Sequence, residues 1–291
     1  MTSLSDAAVK HLRAIADLPD LSETKYRLGA PLGRGGMGTV YLAHDAELDR
    51  DVALKVVGPL GIRLSDEAKI LARLEHPGIV PVHDVGVLPD GRVFYAMKLV
   101  RGERLDAVFA SSLTLLDRLR IFDRICDAVA FAHSQGVIHR DLKPANIMVG
   151  QFGEVLVLDW GVAAFRQRET SPTVVGTAGY MAPEQSRGES ADERSDIHAL
   201  GVILEQLLPA PAPKSLRAVC AKASAEQPSG RYQNVSELAE DLRRYREGLP
   251  LSAYRETLME RAARVATKYQ LPIALIAAYV LMRALLLLFA R

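Results

Sequence analysis

Residues Leu32–Val57 read LGRGGMGTVYLAHDAELDRDVALKVV. Four glycines, Gly33, Gly35, Gly36 and Gly38, fall within six residues, between apolar runs. Lacking Cβ atoms, such a loop can lie close over phosphate groups and offer them backbone N–H donors. The spacing Gly33-x-Gly35-x-x-Gly38 also occurs in dinucleotide-binding turns, but those need a helix directly after the third glycine. Here TVYLAHD follows, β-branched and strand-like, so the loop joins strand to strand. The next run, DVALKVV, places Lys55 on the strand face of Ala53 and Val57, opposite Leu54 and Val56. A lysine among such neighbours needs an anion to stay charged. Phosphate oxygens or a carboxylate would serve, and Glu67 on the next helical segment is the obvious carboxylate.

Outward from this stretch, Tyr26 to about Leu99 is mostly strand-like, with turn signals DR, HPG and PDGR. One helical segment, SDEAKILARLEH, interrupts it, with Ala68, Leu71 and Leu74 on one face and Ser65–Asp66 as its cap. Residues 4–18 carry helical spacing, and PDLSETK reads as a linker. After Leu99 the periodicity turns helical. TLLDRLRIFDRICDAVAFAHSQG places Leu115 or Leu116, Leu119, Phe122, Ile125, Cys126 and Val129 on one face. Short strands are expected in VIHRD, NIMVG and EVLVLDWG, and helices in RSDIHALGVILEQLL, SLRAVCAKAS and VSELAEDLRRYREG. The fold class is therefore α+β, with a small β-rich lobe and a larger helical one. In 291 residues, 49% apolar and 24% charged composition is ordinarily globular, and a net charge of +1 gives no field for nucleic acid. Two cysteines, Cys126 and Cys220, cannot form a disulfide framework and read as buried residues in a reducing compartment.

The stretch VIHRDLKPANIMV, Val137–Val149, sets His139, Arg140, Asp141, Lys143 and Asn146 between apolar strand segments. Asp141 can orient a hydroxyl or accept its proton. Asn146 offers an oxygen suited to Mg²⁺, and LVLDWG ends a strand in Asp159, a second hard-cation ligand. GTAGYMAPEQ, Gly176–Gln185, follows.

Together these motifs resemble the eukaryotic-like (Hanks-type) serine/threonine protein kinases of bacteria. The matches are GRGGMG with Val40, VALK at Lys55, the helical Glu67, HRDLKPAN, DWG in place of DFG, and Ala182–Glu184, with Asp196 in RSDIHALG and Arg231 in GRY further on. They span about Tyr26 to Gly248 in the family's order. The resemblance implies a bilobal protein-kinase-like fold, with a kinase domain over 26–248 divided into lobes 26–99 and 100–248. It implies transfer of the ATP γ-phosphate to Ser/Thr hydroxyls of protein substrates. The loop of Gly33, Arg34, Gly35, Gly36, Met37 and Gly38, with Thr39, would cover the phosphates, and Leu32, Val40 and Ala53 would sandwich adenine. Met97 would lie behind adenine, with Lys98–Val100 as hinge. Lys55 would hold phosphates and pair with Glu67. Asp141 would be the base, Lys143 would steady the transferred phosphate, and Asn146 and Asp159 would hold Mg²⁺, with Mn²⁺ as a substitute. Thr177 fits the serine/threonine class. His139, Asp196 and a Glu184–Arg231 pair would be structural. Arg140 would receive a phosphorylated Thr170, Ser171 or Thr173, attached by a second copy in a homodimer. Three departures stand out. The segment from Lys55 to Glu67 is short, which leaves the helix carrying Glu67 only about two or three turns. Trp160 replaces the usual Phe and would stack with Leu71, Val82 and His139. The connection from LEQLLPAPAPK to SLRAVCAKA is too short to hold the family's substrate-docking helix.

LPIALIAAYVLMRALLLLFA, Leu271–Ala290, is apolar apart from Arg283 and the mild Tyr279, and is about the length of a bilayer-crossing helix. Arg255, Arg261, Arg264 and Lys268 precede it, as on a cytoplasmic side. The expected organisation is an N-terminal helix and linker over 1–25, the kinase domain, a basic segment over 249–269 and a membrane helix over 270–290. The lobes would then lie on the cytoplasmic face of an inner membrane.

Overall fold

Five of the strand-like runs pair into one antiparallel sheet in the computed structural model, which describes residues 18–35, 38–58, 74–109, 112–160, 164–165 and 176–289. These are β1 (Tyr26–Gly35), β2 (Gly38–Asp45), β3 (Arg50–Val57), β4 (Val82–Val87) and β5 (Val93–Lys98), in the order β1-β2-β3-β5-β4. The expected helix over residues 4–18, the segment carrying Glu67 and Leu71, and Gly36, Met37, Thr170, Ser171 and Thr173 lie outside the described residues, apart from Leu18.

β3 is flanked on both edges, by β2 and β5, and is buried on both faces. One face sends Val52, Leu54 and Val56 into a cluster with Tyr26, Tyr41, Leu88 and Phe94. Cross-strand partners share a face, so the register puts Val40, Ala53, Lys55 and Met97 together on the other. Pro31 sits where the β1–β2 register breaks, a position that tolerates its missing donor. At the turn, Gly38 has φ +144°, and a Cβ there would lie 2.1 Å from the Val56 carbonyl oxygen. Only glycine fits where the loop folds onto β3.

The sheet is tied to the rest of the chain at Ile79, which bridges Val157 in parallel; the Val157 N–H donates to the Gly78 carbonyl at 2.8 Å. There follow β6 (Gly102–Arg104), α1 (Leu105–Val108), α2 (Leu115–Ser134), β7 (Val137–Ile138), β8 (Ile147–Gly150), β9 (Val155–Val157) and β10 (Ala164–Phe165). Then come α3 (Pro183–Ser186), α4 (Glu193–Leu207), α5 (Lys214–Ala223), α6 (Val235–Arg246), α7 (Leu258–Lys268) and α8 (Gln270–Phe289). β6-β8-β9 and β7-β10 form two small sheets. Thr114 caps α2 by accepting the Asp117 N–H. The expected face of α2 is buried at Leu119, Phe122, Ile125, Cys126 and Val129. Leu115 is half-buried and Leu116 exposed. Those residues join α4, α5 and α6 in one core that also takes in Trp160. The strand expected to end in Asp159 stops instead at Val157, because Asp159 has φ +58°, which a strand cannot continue.

Residues 208–213 carry the chain from α4 to α5 with no helix between them. Arg118 of α2 closes the end of α4, donating Nη1 to the Leu207 carbonyl at 2.9 Å and Nε to the Leu113 carbonyl at 3.2 Å. Beyond α6 the chain folds back. The buried Asp241 carboxylate accepts the Ser252 N–H, the Ser252 and Tyr232 hydroxyls and the Ala253 N–H, at 2.7–3.0 Å. The expected membrane segment falls in α8. Among the described residues no helix is long and apolar enough to cross a membrane; the side chains of 270–273, 284, 287 and 288 lie outside that description.

Candidate active site

Lys55 and Asp159 are 104 residues apart and meet at 2.5 Å, Nζ to Oδ1. β3 fixes Lys55 from the sheet side, and the turn after β9 fixes Asp159 from the other lobe. Burial pushes the Asp159 carboxyl up, but the Lys55 ammonium outweighs it and the net shift is downward. The anion that Lys55 requires is thus a carboxylate in this structure, supplied by Asp159; the expected partner Glu67 lies outside the described residues.

The loop between β7 and β8 is built on one buried acid. Asp196 of α4 accepts the His139 N–H and the Arg140 N–H, each at 2.8 Å, and meets His133 Nε2 at 2.8 Å. Burial raises the Asp196 carboxyl, yet His133 and the other donors bring it below its ordinary value. His139 Nε2 lies 3.0 Å from the Leu158 carbonyl, and Nδ1 lies 3.3 Å from the Asp141 N–H. Both contacts are satisfied when Nε2 carries the proton. Trp160 packs on His139 with centroids 4.5 Å apart and donates Nε1 to the Val157 carbonyl at 3.4 Å. Of its other expected contacts, Leu71 is outside the described residues, and Val82 packs against Val57, Val93 and Tyr95.

Asp141 lies at the centre of a polar knot. Its Oδ1 accepts the Thr177 hydroxyl at 2.6 Å, and its Oδ2 accepts Lys143 Nζ at 2.7 Å and Asn146 Nδ2 at 3.3 Å. Lys143 also donates to the Thr177 hydroxyl at 2.6 Å. Asn146 Nδ2 bonds the Asp141 carbonyl as well, at 2.9 Å, so a cation there would meet its Oδ1. Among the described residues no group of three or more His, Cys, Asp or Glu could hold a metal ion alone. Asn146 and Asp159 nevertheless suit a hard divalent cation that completes its shell with phosphate and water oxygens.

Of the residues expected to line the nucleotide site, Ala53 is buried while Val40, Met97 and Val100 are half-buried; Leu32 and Arg34 are exposed, and Thr39 is half-buried. Further away, Glu184 of α3 receives Arg231 Nη1 and Nη2 at 2.7 and 2.8 Å and the Ser195 hydroxyl at 2.8 Å. Burial pushes the Glu184 carboxyl up, but those donors win and hold it at about 2. The buried thiols are pushed up, Cys220 to about 12. Two polar residues of this framework, His133 and Gln185, escape the sequence reading. His133 shows only as one polar position in an apolar helix, and Gln185 as the last letter of a motif.

The family model for the protein kinase domain matches residues 26–242, and this chain belongs to the protein kinase family. It is 35% identical to serine/threonine-protein kinase PknD of Chlamydia trachomatis serovar D over 325 residues, covering 86% of this chain and 34% of that protein. Identity to the same-named kinase of Chlamydia muridarum is 37% at the same coverage. For that of Protochlamydia amoebophila it is 32%, covering 77% of this chain and 30% of the relative. The chain thus spans about a third of the length of the relatives it matches.

Proposed function

We propose that this chain is an ATP-dependent protein kinase that transfers the γ-phosphate to Ser or Thr hydroxyls of proteins, its own activation segment included. The observation that carries this reading is the knot at Asp141. One carboxylate oxygen already accepts a threonine hydroxyl at 2.6 Å, and Lys143 stands beside the same hydroxyl. A substrate hydroxyl arriving there is oriented by Asp141, which takes its proton, while Lys143 faces the incoming phosphate. Lys55 holds phosphate oxygens from the sheet side, under the Gly33–Gly38 loop. Asn146 and Asp159 hold the divalent cation, Mg²⁺ or in its place Mn²⁺; when bound, that ion neutralises phosphate charge.

The purified chain, given labelled ATP, Mg²⁺ and a Ser/Thr-rich protein acceptor, should label the acceptor. Asp141→Asn should lower that rate by about 10²–10⁴-fold, the range for loss of a positioned acid–base group. Chelating the metal should abolish it. Equal labelling by both proteins would falsify the assignment of Asp141. A second reading, a nucleotide-binding scaffold with little transfer, is favoured by the direct α4–α5 connection, which leaves no docking helix there. It predicts ATP binding without labelling in the same assay.

We propose further that α8 holds the kinase at the cytoplasmic face of an inner membrane, in single-pass fashion, where a second copy can phosphorylate the activation segment. Its support is the row of nine large apolar side chains exposed between Leu275 and Phe289.

A further inference from the structure

The peptide unit joining Arg140 to Asp141 has an unusual backbone. Arg140 has φ +71°, the left-handed region that a branched or long L-residue seldom occupies. Such a conformation persists only when its surroundings over-determine it. Three of the surrounding contacts are clear. Asp196 holds the Arg140 N–H at 2.8 Å, and His139 Nδ1 lies 3.3 Å from the Asp141 N–H. The third grip comes from the far end of the activation segment: Gln185 Nε2 donates to the Arg140 carbonyl at 3.1 Å. The carbonyl of Arg140 and the N–H of Asp141 belong to one rigid plane, so Gln185 and His139 hold that plane at both edges.

The amide of Gln185 is itself held. It is 5% exposed, and its Oε1 accepts the Ala182 N–H at 3.1 Å. Exchanging its oxygen and nitrogen would set oxygen against the Arg140 carbonyl and NH₂ against the Ala182 N–H, so the network permits one orientation. The neighbouring Glu184 is bound twice by the buried Arg231, which makes α3 a fixed support. Gly176 approaches the same carbonyl closely. Its φ is +134°, and a Cβ there would lie 3.2 Å from the Arg140 carbonyl oxygen.

We infer that Gln185 is a positioning residue for phosphoryl transfer, fixing the peptide that aims Asp141 through a hydrogen bond to the Arg140 carbonyl. The inference rests on the phosphotransfer reading above and adds to it a physical link from α3 to the base. Gln185 touches neither nucleotide nor acceptor; it acts through the direction of the Asp141 carboxylate, in which a small misplacement is costly.

The test compares wild type with Gln185→Glu and Gln185→Met in the full chain. At about pH 8 the introduced carboxylate still accepts the Ala182 N–H but faces the Arg140 carbonyl with a second acceptor. Both variants should lower kcat about tenfold to a hundredfold, the scale of a misaligned reacting group, with the KM for ATP within about twofold of wild type. Protonating the carboxyl restores a donor, so the ratio of Gln185→Glu to wild-type kcat should climb as pH falls from about 8 to about 6. The charged groups on the elements packed against this amide are Glu184 on α3, Arg187 just after it, Arg140 and Asp141 on the loop, and Asp196 and His198 on α4; their own titrations are common to both proteins, and taking the ratio removes them. Unchanged kcat in both variants, or a loss that appears in the KM for ATP instead, would overturn the inference. So would loss of folding in both while wild type stays folded, since Gln185 would then be structural. A wild-type chain with no transfer at all would remove the phosphotransfer reading itself, a distinct result.

Discussion

Glu184 and Arg231 are almost fully buried, and two hydrogen bonds join them. The folded protein holds this carboxyl at about 2, while its ordinary value is 4.5. On acidification the unfolded chain therefore takes up a proton that the folded protein refuses. The pair's contribution is complete above about pH 4.5 and is lost as pH falls towards about 2. Glu184→Gln leaves Arg231 buried without its counter-charge and should cost about 3–5 kcal/mol near neutral pH. Urea unfolding followed from pH 7 downward should show the gap to wild type closing below about pH 4.5; a gap constant down to pH 3 would refute the assignment. At this scale the sequence was legible where a residue type has few uses. A lysine amid strand apolars had to meet an anion, and it meets one, although the carboxylate is Asp159 and not the expected Glu67, which lies outside the described residues. It was illegible at Gln185, because a side-chain amide acquires its role only from the carbonyl that the folded chain brings to it.

Elements were read best where burial is periodic. The apolar face of α2 follows from its spacing, and Thr114 marks its start. Ends were read less well, since they depend on single backbone angles. β9 stops at Val157 because Asp159 turns left-handed, and nothing in LVLDWG announces that. The missing helix after α4 was visible as a shortage of residues, but the structure adds what replaces it. Arg118 reaches across from α2 and donates to the Leu207 carbonyl, one of those left open at the end of α4. Arg118→Met keeps most of the apolar stem and removes the donors. It should destabilise the protein by about 1.5–3 kcal/mol, the range for hydrogen bonds to a charged group. Chemical denaturation should show this loss while the KM for ATP stays constant; a change in KM with stability intact would place Arg118 at the site instead.

For the whole molecule, the division into a sheet lobe and a helical lobe was plain in the change of period after Leu99, whereas the course of the chain beyond α6 was not. The sequence shows a basic segment ahead of an apolar one but not how it packs. Asp241 takes four hydrogen bonds, three of them from Ser252 and Ala253, and Arg264 is bound to Glu256 and to the Gly248 carbonyl. The base of the large lobe and the start of α7 are thus one body, and a membrane helix at α8 would keep the kinase close to the lipid surface. α8 has 20 residues, about 30 Å of helix. Arg283 lies six residues, or about 9 Å, from the Phe289 end, within reach of an interface for a snorkelling side chain. Washing membranes from expressing cells with alkaline carbonate should leave the wild-type chain in the pellet. The double change Ala277→Arg, Leu281→Arg, both near the middle of α8, adds about 2.5–3.5 kcal/mol per arginine at mid-helix, and should move the chain to the supernatant with its kinase activity intact. Release of wild type by the same wash would count against a span and leave the exposed row on α8 to a protein partner.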